Sequence, residues 1–324
     1  MTIRTRLTER LSVDHPIILA PMGVAASGCL ASAVTKAGGL GLVGVGYRGK
    51  DWIKSQLDEA GNVRVGVGFI TWLLERSPEL LDVALSAQPA AICLSFGDPR
   101  PFAKKIRSSG VPLICQVQSV ADSRCAVEAG ATVIVAQGTE AGGHGGARSM
   151  STLVPEVADF LSATSPDTLL CAAGGIADGR GLAAALVLGA DGALTGSRLW
   201  ASREANVHPK LHEAVLAADG DSTVRTTLMD IVRRYDWPKR YTNRALRNHF
   251  LETWEGKEAE LAASLEVETP KWLRAWDEGD IENANVFISE SVGLIRSIEP
   301  VAEIIARMVS EAEKNLLEIR GRIC

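Results

Sequence analysis

A chain of 324 residues that is 46% hydrophobic, with 31 glycines and only 5% aromatic residues, can bury a large core but offers little base-stacking surface. Its 34 basic and 39 acidic residues leave a net charge of −5, too mild and too evenly spread for a polyanionic partner, so no nucleic acid or anionic lipid is expected. Met1 to His15 is polar, and the apolar stretch Pro16 to Ala26 is cut by Pro21 and far below the ~20 residues of a membrane span. A cytoplasmic protein with no membrane attachment is the expectation.

Short apolar runs at Ile17 to Ala20, Leu40 to Val45, Val63 to Ile70, Ala90 to Phe96, Val111 to Val117, Thr132 to Ala136, Leu169 to Ala173 and Gly192 to Leu194 alternate with helical patterns. Several of those helices end in a related phrase: Lys36-Ala37-Gly38-Gly39, Glu128-Ala129-Gly130, Leu188-Gly189-Ala190 and, more loosely, Ser109-Gly110-Val111. A left-handed glycine cap followed at once by a strand explains the phrase. Eight such units predict an α/β fold, a (β/α)8 TIM barrel over residues 1–204, because a doubly wound sheet usually has fewer strands and one early fingerprint loop. From about Ala201 to Asn285 the pattern turns to helices rich in charge and tryptophan, punctuated by Asp236-Trp237-Pro238, Thr269-Pro270 and Asp277-Glu278-Gly279-Asp280. That predicts a C-terminal helical subdomain or lid at 205–285. The remainder, 286–324, holds Val301, Ile304, Ile305, Met308, Val309, Ala312 and Leu316 at helical spacing, the face of a last helix that returns to the barrel.

Two glycine-rich segments carry the chemistry. Gln137-Gly138-Thr139-Glu140-Ala141-Gly142-Gly143-His144-Gly145-Gly146 presents one imidazole on what reads as a flexible loop, and Ala172-Ala173-Gly174-Gly175, with Thr195-Gly196-Ser197 further on, reads as a two-part phosphate cradle. Each lies at the carboxyl end of a parallel strand, where barrels keep their chemistry and commonly bind phosphate. A histidine among glycines is not expected to be packed, so His144 is the candidate general base, with Glu140 orienting the loop. Asp178 would cap the following helix. His208 and His212 stand four apart without a third ligand, and His15 and His249 stand alone, so no metal site is predicted. The six cysteines show no CxxC spacing and read mostly as buried thiols.

At these residues the chain resembles the nitronate monooxygenase family, formerly 2-nitropropane dioxygenases, which are FMN-dependent barrels. The resemblance runs nearly end to end, through Ala20-Pro21-Met22-Gly23, Ala37-Gly38-Gly39-Leu40-Gly41, the Gln137 to Gly146 loop, Ala172 to Glu204, Tyr235-Asp236-Trp237-Pro238 and Arg244-Ala245-Leu246-Arg247-Asn248. It implies that Ala20, Pro21, Met22 and Gly23 run beside the isoalloxazine, that Gln116 and Gln137 meet the ring and ribityl chain, and that Gly142 and Gly143 face the cofactor. Ala173, Gly174, Gly175, Gly196 and Ser197 would then take the FMN phosphate, with His144 over the flavin as catalytic base. Some relatives carry lysine where this chain has Gln116, which leaves a fixed charge at the pyrimidine edge in doubt. The implied activity is oxidation of an alkyl nitronate with O2 to a carbonyl compound and nitrite.

A very similar Glu-Ala-Gly-Gly-His loop occurs in flavin-dependent enoyl-acyl-carrier-protein reductases and related NAD(P)H:quinone reductases, so the barrel motifs predict FMN better than substrate. The cradle also resembles that of inosine-monophosphate dehydrogenases, but no cysteine here sits in the glycine-rich loop those enzymes use. A non-catalytic flavin-binding protein would have no need of a glycine-flanked His144.

Overall fold

The computed structural model describes residues 3–321; Cys324, one of the six cysteines, lies outside them. Strands β1 (Ile17–Leu19), β2 (Leu42–Gly44), β3 (Gly66–Ile70), β4 (Ile92–Ser95), β5 (Leu113–Val117) and β6 (Val133–Gln137) follow in sequence. A short strand β7 (Gly143–Gly145) leaves the series, which β8 (Leu169–Ala173) and β9 (Gly192–Thr195) complete. All barrel neighbours are parallel, in the order β1-β9-β8-β6-β5-β4-β3-β2, and a bridge between Ile18 and Leu40 joins the first and last of that row. The fold is a (β/α)8 barrel, and each of the eight expected runs carries one strand.

Alternation along each strand divides the core in two. Ile18, Leu42, Cys93, Ile114, Val133, Val135, Cys171 and Leu194 fill the inside of the barrel, while Ile17, Leu19, Val43, Val67, Ile134 and Ala172 face the surrounding helices. Leu7, from the helix Arg6–Leu11, joins the inner set and plugs the amino end; a Cβ on Gly192 would fall 2.5 Å from its Cδ2. With that end stoppered, the carboxyl ends of the strands form the open mouth. Gly38, Gly110, Gly130 and Gly189 all take positive φ, the left-handed caps that the repeated phrase called for. Of the cysteines, Cys93, Cys115 and Cys171 are buried, Cys125 is half-buried, and Cys29 is exposed.

Residues 205–285 contain more than helices. Beside the helices Pro209–Ala217, His249–Trp254, Glu258–Ala263 and Leu265–Glu278 stand β10 (Thr223–Thr226) and β11 (Thr242–Leu246), which pair antiparallel with each other and with β7 in the order β10-β11-β7. Their polar residues bind protein and not water, which hid a strand period in a charge-rich stretch. Thr269-Pro270 does not break the chain either; Pro270 lies inside Leu265–Glu278, and Gly279 ends that helix at φ 64°. The last helix, Val301–Arg320, buries Val301, Ile304, Ile305, Met308, Val309 and Ala312. It lies on the helix Gly179–Val187, where a Cβ on Gly179 would stand 2.4 Å from Ala312 N.

Candidate active site

His144 is neither loose nor solvent-facing. It sits in β7, opposite Asn243 of β11, at 9% exposure. The surrounding glycines serve close approach more than mobility: a Cβ on Gly142 would fall 2.5 Å from Ile288 C, and one on Gly146 would fall 2.9 Å from Gln118 Cβ. Gly143, at φ 68° with open space about it, is the position where backbone freedom is required. Thus the flexible loop expected from composition is a strand clamped on both sides. Gln137 Nε2 donates to His144 O at 3.0 Å, and Gln118 Nε2 donates to Gln137 Oε1 at 2.9 Å. Arg225 and Arg244, cross-strand neighbours on β10 and β11, both donate to Thr139 O, at 3.0 and 3.2 Å. Burial and the neighbouring Arg244 push the Arg225 guanidinium down to about 10. Glu140 accepts from Met150 N at 3.0 Å, an orienting bond.

The imidazole has a partner that sequence reading missed. His144 Nε2 lies 2.9 Å from both carboxylate oxygens of Asp230, and Asn243 Nδ2 donates to Asp230 Oδ2 at 2.8 Å. A carboxylate accepts only, so Nε2 carries the hydrogen and Nδ1 holds the free lone pair. Burial lowers the imidazole pKa, and Asp230 opposes that shift by hydrogen bond and charge. Trp237 stacks on the ring, centroids 3.5 Å apart and planes 7° from parallel. Trp237 Nε1 in turn donates to the Tyr47 hydroxyl at 2.7 Å, and Tyr47 stacks on Tyr235 at 3.6 Å. Phe96, at φ 65° just beyond β4, stands edge-on to Trp237 at 5.2 Å. An apolar wall therefore surrounds a single titratable pair. Asp230 left one sequence signal: a carboxylate inside the apolar run Leu228-Met229-Asp230-Ile231-Val232, which a buried helix tolerates only when paired.

The glycines of the cradle lie across the mouth. A Cβ on Gly196 would meet Ala20 Cβ at 3.5 Å and Met22 Sδ at 3.7 Å, which brings the end of β1 beside the end of β9. Pro21 crosses over Gly68, where a Cβ would fall 2.2 Å from Pro21 Cβ, and Gly23 follows at the rim. Gly174 and Gly175 take φ 104° and 72°, and Gly138 N donates to Ala173 O at 2.8 Å. Among the described residues, no backbone bond outside the regular helices and sheets is donated by Gly174, Gly175, Gly196 or Ser197, and Thr195 Oγ1 is buried without a partner. Free N–H groups with no side chains before them suit a phosphate monoester. Ser289 was not foreseen there: its N–H donates to Ser197 Oγ at 2.9 Å and its hydroxyl to Glu140 O at 2.7 Å. Gln116 lies at the end of β5, 9% exposed. Asp178 caps its helix by accepting from Arg180 N and Gly181 N. His208 accepts from Lys210 N as a helix cap, and His212 meets Trp200 O at 3.2 Å.

Comparison with known proteins agrees with this geometry. The family model described as nitronate monooxygenase matches residues 4–66 and 62–311. A nitronate monooxygenase of Neurospora crassa is 32% identical over 355 residues, covering 96% of this chain and 92% of the relative. One of Metarhizium robertsii is 35% identical over 343 residues, covering 94% and 92%. Among solved structures, FabK from Thermotoga maritima superposes with a TM-score of 0.89 at 32% identity, over 99% of this chain and 100% of that one. Nitroalkane oxidase from Streptomyces ansochromogenes has the same fold, with a TM-score of 0.79 at 22% identity over 96% and 99%. No helix among the described residues is long and apolar enough to cross a membrane. A barrel whose glycine cradle and buried histidine share one mouth, matched along nearly its whole length by these relatives, belongs to the nitronate monooxygenase family and is a flavin oxidoreductase.

Proposed function

We propose that the protein uses FMN and O2 to oxidise alkyl nitronates to a carbonyl compound and nitrite, and accepts neutral nitroalkanes where His144 can first deprotonate them. The observation that carries this reading is the buried His144–Asp230 pair at the same mouth as the cradle. FMN supplies an electron-accepting ring and its reaction with oxygen. Gly174, Gly175, Gly196 and Ser197 hold the phosphate through backbone N–H groups, and Ser289 braces Ser197 from behind. Ala20, Pro21 and Met22 form one lip beside the ring, with Gly23, Gln116, Gln137, Gly142, Gly143 and Ala173 completing the cofactor's surroundings. His144 Nδ1 takes the α-proton from a neutral nitroalkane, while Asp230 fixes Nε2–H and favours the imidazolium that forms. Trp237, Phe96 and Phe287 exclude water from the anion. With nitronate supplied directly, His144 only donates a hydrogen bond.

A second reading, an NAD(P)H-dependent reductase, draws support from the 32% identity to Thermotoga FabK. Anaerobic mixing of the holoprotein with alkyl nitronate and, separately, with NAD(P)H separates the two. Bleaching of the flavin by nitronate alone is the expected result; rapid bleaching by NAD(P)H with none from nitronate would assign the reductase.

A further inference from the structure

A cluster of N–H donors without acceptors lies one ring away from His144. Arg233 Nε and Nη1 are buried and unpartnered, and so is Trp272 Nε1. The Arg233 guanidinium stands 5.5 Å from the Trp272 ring, 4.6 Å from Tyr235, 5.3 Å from Tyr47 and 5.5 Å from Phe287. Phe287 is also edge-on to His144 at 5.9 Å, so the cluster borders the wall of the proposed substrate site. Cation–π contact offsets part of the guanidinium's lost hydration but provides no acceptor for its N–H groups. Asp230, three residues earlier, is committed to His144 and Asn243. A half-buried cation and an indole, with three idle donors between them and no carboxylate paired to either, form half of a recognition site.

We infer that Arg233 and Trp272 form an oxyanion subsite beside the catalytic histidine, taking a carboxylate or phosphate group. The group comes either from the far end of the substrate or from a free small anion. The first case deepens the nitronate reading and rests on it, whereas anion binding itself does not depend on turnover.

The test uses FMN-loaded protein with 15N-labelled tryptophan, the Trp272 indole resonance being assigned through Trp272→Phe. Titration with butanoate and with inorganic phosphate should move that resonance, and Arg233→Met should weaken the binding by about tenfold or more. Trp272→Phe, which keeps a ring but loses one donor, should weaken it less, as read calorimetrically; it also keeps the question open to test if Arg233→Met fails to retain FMN. In parallel, kcat/KM is compared for the nitronates of 4-nitrobutanoate and 1-nitrobutane. A preference of about tenfold for the acidic nitronate, lost in Arg233→Met, assigns the anion to the substrate. Equal values with anion binding intact assign a free anion. An unmoved indole resonance together with equal values in wild type and variant overturns the subsite. Failure to oxidise either nitronate defeats the oxidation reading, and the titration still decides the subsite.

Discussion

At the scale of single residues, the pair His144 and Asp230 decides the chemistry. Replacing His144 with Asn keeps polarity and approximate size but removes the base. Turnover of neutral nitroalkane should then fall by about 10²–10⁴-fold, with a smaller loss on pre-ionised nitronate; steady-state kinetics on both substrates checks it, and equal small losses would remove His144 from proton abstraction. Asp230→Asn removes the charge that opposes desolvation. Because burial already lowers the imidazole pKa, losing Asp230 lowers it further, so the acidic limb of the pH profile for neutral nitroalkane moves down while the plateau rate falls with the weaker base. A limb that stays in place would leave Asp230 a packing role only. The same shift bears on stability: the fold prefers the neutral ring, so this contribution is complete above the pKa of an unfolded histidine, about 6.5, and is lost as pH falls through the lower folded value. Denaturation midpoints of wild type and His144→Asn, compared across that interval, should converge or diverge accordingly.

At the scale of elements, the cradle and the clamped β7 strand are the parts to challenge. Gly175→Asp and Gly196→Asp place a carboxylate where the free N–H groups point, so each variant should fold and lose FMN affinity, read as flavin absorbance per chain after purification. Full occupancy would place the phosphate elsewhere. The barrel strands and glycine caps were legible because each repeats a local rule: an apolar run, then a left-handed turn. The cradle glycines were legible for the same reason, being tied to the ends of β8 and β9. The setting of His144 was not, because glycine spacing reads alike whether the chain is mobile or pressed against Ile288 and Gln118. Nor were β10 and β11, whose Arg225 and Arg244 bind loop carbonyls and so obscure any contrast between a wet and a dry face. Asp230 and Ser289 reach the site from 86 and 149 residues beyond His144 and Glu140, a separation that no local pattern encodes.

At the scale of the whole molecule, the final helix fastens the barrel. Val301–Arg320 lies against Gly179–Val187 and also touches Gly28–Lys36, so it spans the region where the first and last βα units meet. Gly179→Ala would press a methyl group into Glu311 and Ala312, with Cβ 2.3 Å from Glu311 Cβ. Overpacking of this kind costs about 1–3 kcal/mol, so the variant should unfold at lower denaturant while keeping the wild-type pH profile. An unchanged midpoint would mean that the two helices separate without cost.

The brace on the cradle also ties flavin capture to the order of synthesis. Ser289, which holds Ser197 and Glu140 together, is translated long after the last barrel strand, so a nascent chain can have all eight strands outside the ribosome and still lack one wall of its cofactor site. Holoenzyme formation is therefore a late event in the life of each chain, and a message truncated before that codon yields a barrel unable to close over its cofactor.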